Sequence, residues 1–314
     1  MTEKLVGISV AAPSASETLE NIREAESLGV KAAWMTSGGD AGDSLSILAA
    51  AAAQTDSIKL GTSIMQTWSR HPVTTARQAA TIANLAPGRF RLGVGPGHRQ
   101  GMQQTFGTDF EAPLTHLKEY LQVLKALLHG GSVEFKGSRI TAAATMPEPV
   151  DVPVFASALR SRSYEICGEV ADGAISWVCP HFYVRDVALP ALRKGAKAAG
   201  RQTPSLIVHA PVCVDEDLEA ARDGVRQQLG YFPRTPFYAR MFASAGFPSS
   251  ETDGWTNEIL DAVLISGDEA AVADRLNAIF HWGATEVLAS VVMANGSRDS
   301  YLRTLKFLGE YSPS

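Results

Sequence analysis

The side chains best suited to chemistry follow apolar, β-rich runs. From Leu60 to Gly107 the chain reads LGTSIMQTWSRHPVTTARQAATIANLAPGRFRLGVGPGHRQGMQQTFG. This is an apolar strand, a polar loop with Gln66, Trp68, Arg70 and His71, an Ala-rich helix, the stop Pro87-Gly88, a second strand, and a loop of Gly95, Pro96, Gly97 and His98. A strand-helix-strand unit that gathers polar, Gly and His residues after each strand predicts chemistry at the carboxyl ends of parallel strands, as in a (β/α)8 barrel. His98 there either transfers a proton or simply hydrogen-bonds. His71 precedes Pro72, a good first helical residue, and reads as a helix-entrance residue ahead of a catalytic one. GVGPGHRQG lacks the third glycine of a dinucleotide fingerprint, and Pro96 removes one N–H that would cradle phosphate.

Other loops add an anion site and an aromatic wall. Ser157-Ala158-Leu159-Arg160-Ser161-Arg162-Ser163 opens a helix, where backbone N–H groups, the helix dipole and two arginines attract a phosphate. Trp177, Cys179 and His181 follow a later strand. Thr36 to Asp40 offers room and the Ser37 hydroxyl but no strong base, and Asp40 and Asp43 read as helix caps. Several chemistries are set aside: there is no HxH or HExxH metal pair, no GxSxG elbow and no P-loop, so no metal site is predicted. Lys4, Lys31 and Lys59 stand at strand starts, the wrong end of a barrel for a Schiff base. Cys167, Cys179 and Cys213 are widely spaced with no CxxC; they read as reduced core thiols, with Cys179 also a candidate for the pocket. What remains is a roomy, aromatic, His-containing pocket with an anion site, which suits a large phosphorylated cofactor that brings the reactive atoms.

The elements that must position these groups alternate. Strand patterns cover Leu5–Val10, Val30–Met35, Ile58–Met65, Phe90–Val94, Val152–Phe155, Ala174–Trp177, Leu206–Val214 and Glu286–Val292, which is the barrel number. Helix patterns lie between them, the clearest at Ser16–Leu28, Asp43–Gln54, Pro72–Leu85, Thr115–His129 and Arg160–Val170, with later ones near 183–199, 215–229, 268–280 and 299–308. Ser132–Ala142 predicts a small hairpin, and the aromatic, Pro-rich stretch from Gly230 to Thr256 an insertion over the barrel mouth. All 314 residues are expected to form one domain. A net charge of −5 with no Lys/Arg block predicts no affinity for nucleic acid or anionic membrane. MTEKLVGISV runs straight into a strand pattern, so no signal peptide is expected and the cytoplasm is the expected location.

Four segments carry a resemblance: LGTSIMQTWSRHP, ANLAPGRFRLGVGPGHR, FGTDFEAPLTHLKEYLQVLKALLHGGSVEFKGSRI and VPVFASALRSRSYEICGEVADGAISW. In this order the chain resembles the bacterial luciferase-like monooxygenase superfamily, and within it the branch that uses the deazaflavin coenzyme F420. The resemblance implies a (β/α)8 TIM barrel with insertions at its mouth. It implies a cis Ser63-Ile64 peptide behind the cofactor ring, with Gly95, Pro96, Gly97 and His98 beside the ring. Ala158, Leu159, Arg160, Ser161 and Arg162 then take the phosphate of its tail, and His98 is the acid. Ser37, Gln66, Trp68, Trp177 and Cys179 are the expected substrate pocket. Two departures stand out: Ser37-Gly38 replaces an Asp-His pair common in relatives, and Leu159-Arg160-Ser161 replaces Leu-Gly-Pro. The activity implied is hydride transfer between F420 and a small organic substrate, either reducing an activated double bond or oxidising an alcohol, with reduction the preferred direction, by a homodimer. FMN-dependent two-component monooxygenation and a non-catalytic cofactor-binding role are the alternatives.

Overall fold

Eight short parallel strands close on themselves into a barrel. The computed structural model describes residues 4–37 and 42–313, so the candidate cap Asp40 and the neighbouring Gly38 lie outside the described residues. The barrel strands are β1 (Leu5–Ser9), β2 (Ala32–Met35), β3 (Lys59–Thr62), β4 (Phe90–Gly95), β5 (Val154–Ser157), β6 (Gly173–Ile175), β7 (Ser205–Val214) and β8 (Glu286–Val291). Each pairs with the next, and β8 returns to β1 with Leu5 opposite Glu286. All eight runs expected from the sequence are present.

Helices follow the strands and start where short polar side chains can cap them. Ser14 accepts from the Glu17 N–H at 3.2 Å, Asp43 from Ser46 at 2.9 Å and Asp268 from Ala271 at 2.8 Å. The Pro72–Leu85 helix has the bounds expected from sequence. His71 caps it, its Nδ1 accepting from Val73 and its Nε2 lying 3.1 Å from the Thr141 carbonyl, which is the structural role anticipated for it.

The structure adds elements that the pattern of apolar residues did not predict. Arg99–Phe106 is helical and ends at Gly107 with φ of 64°. Of its residues only Met102 is buried, so it carries no apolar stripe. The stretch 230–256 contains a helix, Pro236–Ser244, started by a proline suited to the first turn. Beyond it Ile265–Gly267 adds a short strand to the far half of β7. The hairpin pairs Ser132–Lys136 with Thr141–Thr145, three residues longer than expected.

Two cores result. The larger fills the space between barrel and helices; the smaller, Leu5, Ala32, Trp34, Phe155, Ile175, Ile207 and Leu288, fills the barrel itself. Gly61 is required there, because a Cβ at that position would lie 2.4 Å from the Trp34 ring. Below this layer Glu286 accepts from Trp34 Nε1 at 2.7 Å and pairs with Arg91, whose guanidinium lies 4.2 Å from the centre of the Trp34 ring. Among the described residues no helix is long and apolar enough to cross a membrane.

Three histidines are held neutral by burial: His116 is pushed down to about 4, and His181 and His209 to about 3. The unfolded chain takes up these protons near pH 6.5, so it binds more protons than the native state below that value. Their contribution is complete above pH 6.5 and is lost as pH falls through 4 to 3. The thermal midpoint is therefore expected to decline steadily from pH 6.5 to pH 4, and a flat profile in a calorimetric series would contradict this.

Candidate active site

The alternation of strand residues builds the site floor. Above the apolar layer, the next inward positions on the eight strands and the residues just after them are Ser9, Thr36, Ser63, Gly95, Ser157, Trp177, His209 and Ser290. The apolar filling thus gives way to hydroxyls, an imidazole and an indole at the carboxyl end of the barrel. A cavity of about 1240 Å³ opens over them.

The wall at β3 is set by an unusual backbone. The Ser63-Ile64 peptide is cis. The bulge is pinned to β2: Ser63 N–H donates to Met35 O at 2.7 Å, Thr36 Oγ1 donates to Ser63 O at 2.8 Å, and Ser37 N–H donates to Ile64 O at 3.0 Å. Gly95 provides the space, since a Cβ there would meet Ser157 Oγ at 2.2 Å and the Ile64 side chain at 3.0 Å. Ser63 Oγ is buried with no hydrogen-bond partner.

Of the residues expected to hold the cofactor or the substrate, Ser37, Ser63, Ile64, Gln66, Pro96, Gly97, His98, Ala158, Leu159, Arg160, Ser161, Arg162 and Trp177 all line this cavity. Three do not. Gly95 lies beneath the bulge, as described. Trp68 stacks on His116, ring centres 3.8 Å apart, and on Phe110 at 5.3 Å, so its ring packs behind the wall. Cys179 is buried between the Trp177 carbonyl and the Tyr164 hydroxyl, and burial pushes its thiol up to about 12. All three cysteines are free and buried.

Loop five, residues 157–163 at the end of β5, is ordered by one side chain. Ser163 Oγ accepts from the N–H groups of Leu159 (3.1 Å) and Arg160 (3.2 Å) and donates to Arg160 O at 2.7 Å. Among the described residues no protein acceptor takes the Ser161 and Arg162 N–H groups, which start the Ser161–Val170 helix. Arg160 is extended, with φ of −126°, so the glycine of many relatives is not required here. The two arginines differ. Arg162 is held 2.9 Å from both Glu165 and Glu169, whereas no carboxylate pairs with Arg160 among the described residues. Along the cavity wall there is no Asp or Glu among the described residues, and Arg160 and Arg162 are its only permanent charges.

Residue type alone did not reveal the strand pair on the floor or the turn at Phe110. His209 and Ser290, read only as strand residues, face each other with Nε2 and Oγ 3.0 Å apart. Phe232, Phe237 and Tyr238 come from the aromatic insertion expected over the barrel mouth, Phe110 from the turn before the Pro113–Gly130 helix and Leu114 from the first turn of that helix. That turn has positive φ at Phe110 and Ala112, a backbone path no motif announces. His98 stands at the start of the Arg99–Phe106 helix, its ring 5.8 Å from that of Tyr238, and burial lowers its pKa.

Comparison with known proteins agrees with this geometry. The model of the luciferase-like monooxygenase family matches residues 2–286. A 5,10-methylenetetrahydromethanopterin reductase of Methanolobus tindarius is 28% identical over 285 residues, which cover 84% of this chain and 87% of that protein. An F420-dependent secondary alcohol dehydrogenase, solved with an F420-acetone adduct, has the same fold with a TM-score of 0.80, 17% identity and 98% of both chains covered. The FMN complex of a 3,6-diketocamphane monooxygenase component from Pseudomonas putida superposes with a TM-score of 0.76 at 18% identity, covering 98% of this chain and 97% of that one. With the closed parallel barrel, the cis bulge and the carboxyl-end cavity in place, the chain belongs to the luciferase-like monooxygenase family of oxidoreductase enzymes.

Proposed function

We propose that the protein is a reductase that binds the deazaflavin coenzyme F420 and delivers hydride to a small organic substrate. The observation that carries this reading is the charge layout of the cavity: no carboxylate on its wall among the described residues, and arginines only at loop five. A polyanionic tail is attracted to that end, where two backbone N–H groups and the Arg160 guanidinium are open to it. The other end suits a planar ring. Ser63 Oγ lacks a partner there, and the missing Cβ of Gly95 lets the Ile64 bulge and Ser157 pack closely beneath that wall. When bound, the deazaflavin supplies a two-electron hydride donor. The chain's own task is to hold the ring against the Ile64 bulge, exclude water with the aromatic wall and deliver a proton from the His98 ring. The reading is also supported by F420 in the names of relatives that share the fold.

The arginines provide a graded test. Arg160→Ala is expected to weaken F420 binding about tenfold through loss of a charge-assisted contact, while Arg162→Ala changes it less than about twofold, because Arg162 is already engaged by two carboxylates. Equal losses, or none, would refute the assignment of the tail to Arg160.

FMN is the second reading, favoured by the shared barrel of the FMN-bound monooxygenase component. Titrating the purified protein with each cofactor, followed by quenching of its five tryptophans, separates the two. Micromolar F420 binding with weak FMN binding supports the reductase; the reverse supports monooxygenation. Stoichiometric binding of F420 without turnover of any hydride acceptor would make the protein a carrier.

A further inference from the structure

Polar groups remain at the barrel floor that the cofactor reading does not use. β7 and β8 stand four strands round the ring from β3 and β4, so His209 and Ser290 face the Ile64 bulge across the cavity. We propose that the Ser290 hydroxyl, oriented by His209, anchors the substrate through one carbonyl or hydroxyl oxygen, and that the substrate is an uncharged, largely apolar molecule. This rests on the cofactor reading in one respect: the cationic end of the cavity is taken by the cofactor tail.

The pair is built into the fold. His209 is 5% exposed, its Nε2 lies 3.0 Å from Ser290 Oγ, its ring centre is 3.9 Å from that of Trp177, and Ser176 Oγ accepts from its backbone N–H at 3.3 Å. From it an aromatic wall continues through Trp177, Phe232 and Tyr238 to His98, with successive ring centres 5.4, 4.8 and 5.8 Å apart. No charged side chain among the described residues lies on this part of the wall. A carboxylate or phosphate substrate would be desolvated there without a counter-charge, at a cost that an uncharged one avoids. A pure hydrocarbon would leave the polar pair without use.

The chemistry of the pair narrows the class further. A neutral imidazole and a hydroxyl share a single proton between Nε2 and Oγ, which can lie in either direction. When Nε2–H donates to Ser290, the Ser290 proton is free for a carbonyl oxygen. When Ser290 donates to Nε2, its oxygen is free to accept from an alcohol. One anchor therefore serves both forms of a carbonyl and alcohol couple, or a carbonyl that activates a neighbouring double bond. His209 stays neutral throughout the working range because burial holds it down at about 3.

The test uses the full chain and three probes of similar size: 2-cyclohexenone, cyclohexanol and cyclohexanecarboxylate. Affinities are read by saturation-transfer NMR with and without F420. The ketone and the alcohol are expected to bind, Ser290→Ala is expected to weaken both by about 2- to 10-fold, the value of one hydrogen bond, and the carboxylate is expected not to bind beside F420. Unchanged affinity in Ser290→Ala, carboxylate binding equal to that of the ketone, or no saturable binding of ketone and alcohol up to their solubility would each overturn the proposal. Ser290→Ala should retain wild-type circular dichroism and F420 affinity, which separates loss of the anchor from misfolding. If F420 does not bind while the ketone still responds to Ser290, the cofactor reading fails and the anchor stands.

Discussion

His98→Asn is expected to lower kcat by about 10²-fold or more while leaving the affinity for F420 within about threefold, since positioned proton transfer contributes on this scale. The cavity wall has no carboxylate among the described residues, so its proton-carrying candidates are few. His209 is committed to Ser290 and held near 3, and burial holds the Tyr238 phenol well above its ordinary value. His98 is half-buried at the start of a helix with no hydrogen bond spent on capping it. Burial lowers its pKa, so the imidazolium fraction grows only below about pH 6.5. If His98 is the acid, wild-type kcat rises as pH falls toward that lowered pKa, and His98→Asn flattens the limb. Steady-state kinetics across pH 5 to 8 with the reduced cofactor checks both statements. Retained activity with an unchanged profile would rule out His98 as the proton donor.

The second large effect lies at the other end of the barrel. Glu286→Ala is expected to destabilise the fold by about 3–5 kcal/mol, because it leaves the Arg91 charge uncompensated and removes the acceptor of Trp34 Nε1. For a chain of this length that corresponds to a fall in Tm of about 5–8 °C. Replacing both partners, as in Arg91→Met with Glu286→Leu, is expected to recover most of the loss, since apolar side chains fill the same space without a buried charge. Thermal melts of the three variants measure this directly. A Glu286→Ala protein that melts within 2 °C of wild type would show that water reaches Arg91, contrary to its burial. F420 affinity at 20 °C should be unchanged, because the pair lies below the apolar layer and does not line the cavity.

These two predictions draw on information of different kinds. His98 was legible in the sequence because GVGPGHR follows an apolar strand, and a Gly-rich loop after a parallel strand has few structural reasons to carry an imidazole. The Ser63-Ile64 bulge and loop five were legible through resemblance, and the residues proposed there do line one cavity. Trp68 and Cys179 show the opposite case. Their residue types suit a pocket, but a few residues of loop path carried Trp68 onto His116 and Cys179 under the Trp177 carbonyl.

Local sequence determined the eight strands, the Pro72–Leu85 helix and the capped helix starts, because apolar period, proline and short polar caps act over a few residues. Only the closed barrel decided which strand residues meet. His209 and Ser290 are 81 positions apart, Arg91 and Glu286 are 195 apart, and no periodicity within one strand distinguishes them from ordinary core positions. Ring closure puts every second residue of each strand into a shared interior, and its depth sets whether that residue becomes packed core, a buried ion pair or the floor of the site.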